Sequence, residues 1–437
     1  MIARFAAAVA ATVLAFPATA NIEIEEVTSP DGIGAWLVED SSIPFVALEF
    51  WFVGGSSLDP AEQAGATYMM TGLLEEGAAD MDAQGFAEAV EGLAADFGFS
   101  SYRDAVVVEA RMLSQNRDEA ADLLRAALVE PRFDETAIER VRGQVLSILE
   151  SNARDPEEIA TTTFNAMAYG DHPYGTPQEG TAETVSALGR EDLHAAHRAA
   201  LTRDRVVVGA AGDITPEELG LLIDRILGDL PDEAPARPEP VTLDLEGGVT
   251  VVDFPSPQSV ALFGQEGIER DDPDFFAAFV LNQVLGGRGF RSRLMEEVRV
   301  NRGLTYGIGS YLSLADLSPG LFGQFSSSNE LVGEAIEVVR AQWADLAENG
   351  ITQEELDAAV RYMTGEYPLR FDGNGTIAGI LAAMQSDEMP VDYIVNRNAY
   401  VEAVTLEDVN RVAAQLLQPD ALHFVVVGQP QGLSPGN

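Results

Sequence analysis

The chain has 437 residues, 46% of them hydrophobic and 22% charged, which is enough for two or three globular domains with ample cores. Its formal net charge of −45 argues against nucleic-acid binding, because phosphate contacts need Lys and Arg. The absence of cysteine excludes disulfides, thiolate metal sites and cysteine nucleophiles. Such a charge attracts basic peptides or, more simply, keeps the protein soluble.

The first twenty residues have the pattern of a secretory signal peptide. A charged start at Arg4 is followed by an apolar run over 5–16 and by small residues at 18–20 that are typical of a cleavage site. The apolar run is too short to span a bilayer comfortably. We therefore expect a soluble, exported protein, in a bacterial periplasm or secreted.

The N-terminal half alternates strand and helix patterns. Strands are predicted at 22–28, 34–40, 45–53 and 100–112, the third being apolar enough to lie in the centre of a sheet. Helices are predicted at 59–76, 82–96, 117–129, from the Asp134 cap onward, and at 182–200. Residues 167–176 are expected to form a loop, and 204–231 a strand, a glycine turn and a capped helix.

Residues 231–243, PDEAPARPEPVTL, are rich in proline and acid, and we predict a linker there. After it the pattern restarts, with strands at 249–253, 259–264, 320–327 and 422–428. Helices are predicted at 272–285, 332–347, from 352 onward, 376–388, 391–403 and 406–415.

The two halves repeat in kind. The run from 117 to 146, helix, short break, capped longer helix, resembles the run from 332 to 365, and DRVVVGAAGD resembles LHFVVVGQPQ. The sequence therefore predicts an α+β fold of two homologous domains, 21–230 and 244–437. Each is a mostly antiparallel sheet packed with helices.

The stretch 285–312, LGGRGFRSRLMEEVRVNRGLTYGIGSYL, carries the strongest functional signal. A glycine-rich turn precedes a helical pattern at 291–299, Gly303 ends that helix, and a strand pattern covers 306–312. Arg299 thus leaves the end of a helix and Tyr306 starts the next strand, so both could reach one cleft. A guanidinium fork and a phenol suit a peptide carbonyl or a developing oxyanion. The plain alternative is a helix cap with a surface arginine.

This stretch resembles the C-terminal half of the pitrilysin/insulinase-type (M16) metallopeptidases, where "LGGG…SRLF.EIREKRGLAY" recurs. The resemblance implies a two-lobed clamshell in which Arg299 and Tyr306 bind substrate opposite a zinc ion. It also assigns substrate handling to the loop at Gly286 and Gly287, which is otherwise a hinge. Ser100 and Ser101 fall where the family offers an edge strand to the peptide, although they also fit an ordinary strand start.

Active members of that family carry HxxEH on the first helix of the N-terminal domain. The corresponding run here is GATYMMTGLLEEGA, 65–78, with Tyr68, Thr71 and Gly72 at the ligand and base positions. The distal ligand would fall near Leu149 or Glu150. A neutral phenol is a poor ligand, threonine is no general base, glycine has no side chain, and a lone Glu150 cannot hold zinc.

The four histidines offer no clear substitute for this metal site. His194 and His197 lie three apart on a predicted helix, which is a weak metal signal beside the reading of ordinary helix residues. His172 and His423 are interpreted as loop and strand residues.

The resemblance therefore implies an M16-like subunit without its own zinc, inactive alone, paired in a heterodimer or larger assembly with a zinc-bearing HxxEH partner. Two alternatives stay open: a non-catalytic peptide-binding or scaffold protein, and a metalloenzyme with a substituted site.

Overall fold

The structure is a computed structural model that describes residues 23–289 and 291–433; the predicted signal peptide lies outside these residues. The predicted class is confirmed: two α+β units form a clamshell, each with a mostly antiparallel sheet packed against helices. The strands are β1 (Glu25–Thr28), β2 (Gly34–Glu39), β3 (Phe45–Val53), β4 (Gly77–Ala78), β5 (Met81–Asp82), β6 (Asp96–Ser101), β7 (Ala105–Leu113), β8 (Val206–Gly212), β9 (Gly248–Asp253), β10 (Gln258–Glu266), β11 (Ile308–Ser313), β12 (Gly320–Ser328) and β13 (His423–Gly428).

The α-helices are α1 (Ala66–Thr71), α2 (Ala83–Gly92), α3 (Arg117–Val129), α4 (Glu135–Asn152), α5 (Pro156–Tyr169), α6 (Ala182–Ala187), α7 (Arg190–Ala200), α8 (Pro216–Leu227), α9 (Phe275–Leu285), α10 (Val332–Asn349), α11 (Gln353–Glu366), α12 (Asn374–Ser386), α13 (Tyr393–Glu402) and α14 (Leu406–Leu416). A π-helical segment spans Met295–Val300. Threonine caps at Thr215, Thr352 and Thr405 begin α8, α11 and α14, each in a capping box with the acidic residue three positions on.

The two sheets share one order of five strands, and the N-terminal sheet has β1 as an additional edge strand. The N-terminal sheet runs β1-β2-β8-β3-β7-β6, and the C-terminal sheet, taken from its β9 edge, runs β9-β13-β10-β12-β11. Each contains one parallel pair, β2 with β8 and β9 with β13, and the other neighbours are antiparallel. Strand β11 is therefore the counterpart of edge strand β6. By chain order, α9 and α11 are the counterparts of α1 and α4.

Each unit lends a helix to the sheet of the other. Helix α5 packs on β10 and β13, and helix α12 packs on β8 and β3. The approach of α12 is so close that a Cβ on Gly209 would lie 2.0 Å from the carbonyl oxygen of Ala378. In the other direction, Phe164 of α5 meets Phe322 edge to face, with ring centroids 5.6 Å apart. This exchange holds the units together.

The helix predicted at 59–76 is wrong in its extent. Helix α1 covers only Ala66–Thr71, because the chain between Asp59 and Gly65 forms a 3₁₀ turn and Gly65 adopts a left-handed φ of 92°. The Asp59 carboxylate reaches forward instead, accepting hydrogen bonds from the backbone N–H groups of Gly65 and Thr67, each at 3.1 Å. Asp59, which the sequence pattern predicted to begin the helix, therefore caps it from six residues before Gly65.

Three further predicted elements need correction. The strand predicted at 100–112 is a hairpin, β6 and β7, that reverses at 102–104. The helix predicted at 182–200 breaks at Leu188 and Gly189 into α6 and α7, and the loop predicted at 167–176 begins only after α5 ends at Tyr169. Hairpin pairing and a fresh cap at Gly189 override the local patterns.

Candidate functional site

Helix α1 places the three positions of the altered metal motif in or beside the N-terminal core. Thr71 is buried, and its hydroxyl donates to the carbonyl oxygen of Thr67 at 2.8 Å. Gly72 follows the helix with α-type angles, and a Cβ there would touch Val141 at 3.5 Å. Tyr68 is partly buried, and burial raises the pKa of its phenol. These groups do not provide ligands for zinc.

The fourth position, Glu150, is exposed near the end of α4, where it pairs with Arg154 at 2.5 Å. Over residues 23–289 and 291–433, no three histidine or carboxylate side chains come together in a way that could hold a metal ion. His197 is buried and hydrogen-bonds the carbonyl oxygen of Leu128 at 2.7 Å, and the ring of His194 lies against Phe133. The weak metal signal of these two histidines therefore corresponds to packing.

Ser100 and Ser101 lie on β6, an edge of the N-terminal sheet, and α1 packs beside this strand. The Tyr102 N–H donates to the Ala105 carbonyl oxygen in the hairpin turn. Backbone hydrogen-bonding groups alternate in direction along a strand, so those of Ser100, which is paired with Val107, point toward β7. The backbone groups of Ser101 and Phe99 then point away from β7. The resemblance placed a peptide-pairing strand at this edge.

The glycine-rich turn packs between α9 and β11. The Gly286 carbonyl oxygen accepts from the Ser310 N–H at 2.9 Å, and a Cβ on Gly286 would lie 2.3 Å from the Ser310 hydroxyl. A Cβ on Gly287 would lie 2.5 Å from the side-chain oxygen of Gln283. Both glycines are therefore required by close packing as well as by the turn.

Arg299 lies in the π-helical segment, where the predicted regular helix is replaced by i→i+5 bonding, as from the Asn301 N–H to the Glu296 carbonyl oxygen at 2.8 Å. Such segments are frequent at functional sites. Gly303 then turns the chain with a φ of 65°, as the sequence predicted. The Arg299 side chain is half-buried.

Tyr306 precedes β11, which begins two residues later than predicted. Its side chain is 85% exposed, although the backbone beside it is fixed: the Thr305 hydroxyl bonds the Ser326 carbonyl oxygen at 2.7 Å, and Ser327 bonds Leu304 at 2.6 Å. The phenol is therefore held out to solvent on a rigid support. Neither Arg299 nor Tyr306 is among the residues lining the large cavity between the units.

That cavity, of about 800 Å³, was not predicted from the sequence. Glu49 on β3 and Glu109 on the adjacent strand β7 are directly paired, and both line the cavity together with Trp51. The Trp51 indole N–H donates to Glu49 at 2.7 Å. Burial raises the pKa of Glu49, and Glu109 adds to the effect. Only the pairing of distant strands brings these carboxylates together.

A second unpredicted feature joins the two units beside this cavity. The buried Tyr174 hydroxyl donates to the Asp104 carboxylate and accepts from the Leu317 N–H at 3.1 Å. The Arg103 guanidinium lies 4.6 Å from the centre of the Tyr174 ring. The sequence offered only a HPYG loop as a signal, whereas the structure makes it the anchor of the β6–β7 hairpin on the C-terminal unit.

Two family models match the chain. Insulinase (Peptidase family M16) matches residues 35–182, and the Peptidase M16 inactive domain matches residues 187–363.

Solved and curated relatives agree with these matches. A crystal structure of a peptidase M16 inactive domain from Pseudomonas fluorescens is 30% identical and has a TM-score of 0.88, with 94% of this chain and 99% of that chain covered. An uncharacterized zinc protease from Mycobacterium leprae is 27% identical over 89% of this chain and 88% of its own length. The non-peptidase homologue YmxG from Helicobacter pylori is 25% identical over 89% of this chain and 90% of its own.

Proposed function

The chain belongs to the insulinase-type M16 peptidase family, and we propose that within it this protein is the zinc-free subunit of a heteromeric peptidase. It would supply substrate binding and transition-state contacts to a partner that carries HxxEH and the zinc ion. One observation carries the proposal: the metal-motif positions offer no ligand set, whereas Tyr306 is exposed on a rigid support and the half-buried Arg299 lies in the π-helical segment just before it.

Arg299 and Tyr306 would bind the peptide that the partner cleaves. A guanidinium and a phenol both donate hydrogen bonds, and donors placed beside a scissile carbonyl stabilise the negative charge that develops on its oxygen. Because Tyr306 faces solvent in the isolated chain, its ligand would arrive from outside, in a chamber that a second subunit closes. The π-helical segment and the Gly303 turn would set the spacing between the two side chains.

Two further elements would hold the peptide. Edge strand β6, which contains Ser100 and Ser101, presents the outward backbone groups of Phe99 and Ser101, and these suit an extended peptide without regard to its sequence. The loop at Gly286 and Gly287 would border the path of the substrate in the C-terminal unit.

Export is part of the same proposal and is supported by the signal pattern of residues 1–20. Among residues 23–289 and 291–433, no helix combines the length and apolar character that a bilayer crossing requires. We place the mature protein in the periplasm or outside the cell.

A second candidate function is a peptide-binding or scaffold protein without a role in catalysis. The name of the Helicobacter pylori relative, a non-peptidase homologue, favours this alternative. The two candidates differ in one outcome: in the scaffold case, the activity of a zinc-bearing partner does not depend on this chain.

The test is a reconstitution. The chain is purified alone and together with an HxxEH-bearing M16 protein of the same organism, and cleavage of a quenched fluorescent peptide library is measured beside the zinc content. We expect no cleavage and no stoichiometric zinc for the chain alone, and activity for the mixture. Cleavage by the isolated chain that a chelator abolishes would refute the proposal.

The role of Arg299 is tested within the active complex. Removing a comparable transition-state donor costs about 10²–10³ in kcat, so Arg299→Ala should lower turnover by that factor without dissociating the complex. Arg302→Ala is the matched control, because Arg302 lies three residues on and pairs with Glu297 within the same segment. Equal rates for the two variants would reject the role assigned to Arg299.

A further inference from the structure

We propose that a pocket beside the π-helical segment binds a side-chain carboxylate of the peptide substrate. This carboxylate-binding subsite has a volume of about 750 Å³ and lies between the end of α9, the glycine-rich turn and α11. Its lining includes Arg288, Arg291, Ser292, Ala359, Arg361 and Tyr362. The identification of the ligand as a peptide rests on the function proposed above, whereas the carboxylate chemistry follows from the pocket itself.

The charge of this pocket departs from that of the chain. All 26 residues counted as lysine or arginine are arginine, against 71 acidic residues, and seven of the eight charged residues that line the interdomain cavity are carboxylates. Here three exposed arginines line one pocket: Arg288, Arg291 and Arg361.

The hydrogen bonds and ion pairs of residues 23–289 and 291–433 include none made by these three guanidinium groups. Arginine forks match a carboxylate with two parallel hydrogen bonds. An anionic ligand would satisfy them.

The acidic groups of the pocket do not cancel this charge. Glu355 is occupied by Arg293, at 2.7 and 3.0 Å, and also accepts from the Thr352 N–H at 2.7 Å. That leaves Glu296 and Glu354, two carboxylates against the three arginines, and all five side chains are exposed. A ligand carboxylate that enters the pocket therefore meets more available donors than repelling charges.

Ser292 is a second, independent sign of a ligand. The residue is 4% exposed and lines the pocket, and its buried hydroxyl has no hydrogen-bond partner in the described part of the chain. A buried hydroxyl without a partner is unfavourable, and such groups in folded proteins are few. A carboxylate oxygen bound by the neighbouring arginines would accept this hydrogen bond.

The position of the pocket fits a substrate subsite. Helices α9 and α11, which border the pocket, are by chain order the counterparts of α1 and α4, the helices that carry the altered metal motif in the N-terminal unit. Glu296 of the π-helical segment lines the pocket, and Arg299 follows three residues later in the same segment. A peptide bound at Arg299 could therefore place a nearby acidic side chain in the pocket.

The experiment measures binding by the full chain without its partner. A fluorescein-labelled decapeptide of alternating glutamate and serine is compared by anisotropy with its glutamine counterpart, at about 0.15 M salt to screen the net charge of the protein. We expect the glutamate peptide to bind at least tenfold more tightly. Arg361→Ala should weaken it by about tenfold and Ser292→Ala by about three- to tenfold, with no change for the glutamine peptide.

Arg154→Ala is the control, since Arg154 is an exposed arginine just after the end of the counterpart helix α4. Equal binding of the two peptides, or equal effects of Arg361→Ala and Arg154→Ala, would overturn the subsite. The result is separable from the subunit hypothesis, because an active complex without a glutamate preference refutes the subsite alone. Selective binding without any effect on a partner's activity refutes the subunit role alone.

Discussion

The anchor between the two units yields a prediction whose size follows from the structure. Tyr174→Phe removes one hydroxyl from a fully buried side chain and keeps its ring in place. The Leu317 N–H then loses its acceptor and the Asp104 carboxylate loses a donor, while Asp104 keeps a bond from the Asp316 N–H at 3.3 Å. A buried polar group left without its hydrogen-bond partner costs about 1–3 kcal/mol. Because two groups lose a partner here, the free energy of unfolding should fall by about 2–4 kcal/mol.

The assay is guanidinium-induced unfolding followed by tryptophan fluorescence, because tryptophans lie in both units: Trp36, Trp51 and Trp343. Tyr102→Phe is the matched control, since that side chain is on the same hairpin turn and 55% exposed. We expect the free energy of unfolding of this control to stay within about 0.5 kcal/mol of that of the unsubstituted chain. A Tyr174→Phe variant no less stable than this control would refute the assignment of the hydroxyl as an anchor.

Two further predictions concern stability. Burial raises the pKa of Asp59 from 3.8 to about 6, so the folded state binds the carboxyl proton more tightly than the unfolded state. The resulting contribution to the free energy of unfolding is complete below pH 3.8 and is lost as the pH rises through 6. The loss amounts to roughly 3 kcal/mol, and Asp59→Asn should remove that part of the slope in unfolding free energy measured between pH 4 and 7; an unchanged slope would contradict it. Gly209→Ala forces a Cβ to 2.0 Å from the Ala378 oxygen on α12, so we expect a cost of about 1–3 kcal/mol or more. Gly34→Ala, in open space on the neighbouring strand, is its control, and equal denaturation midpoints would show that α12 does not press on the sheet.

The sequence by itself determined the elements whose signals lie within a few residues. Thr215, Thr352 and Thr405 precede acidic residues at the capping spacing, and each begins a helix in the structure. The repeat between the halves and the Arg299–Tyr306 stretch likewise identified the family and the fold. These signals depend on neighbours along the chain, which any sequence displays directly.

Only the tertiary structure decided how distant segments meet. The exchange of α5 and α12, the pairing of Glu49 and Glu109 on adjacent strands, and the bond from Tyr174 to Asp104 join residues far apart in the chain. Asp59 caps α1 from a distance because the intervening turn brings it back. Contacts of this kind depend on which surfaces pack together, and local propensity yields to burial and pairing where the two disagree.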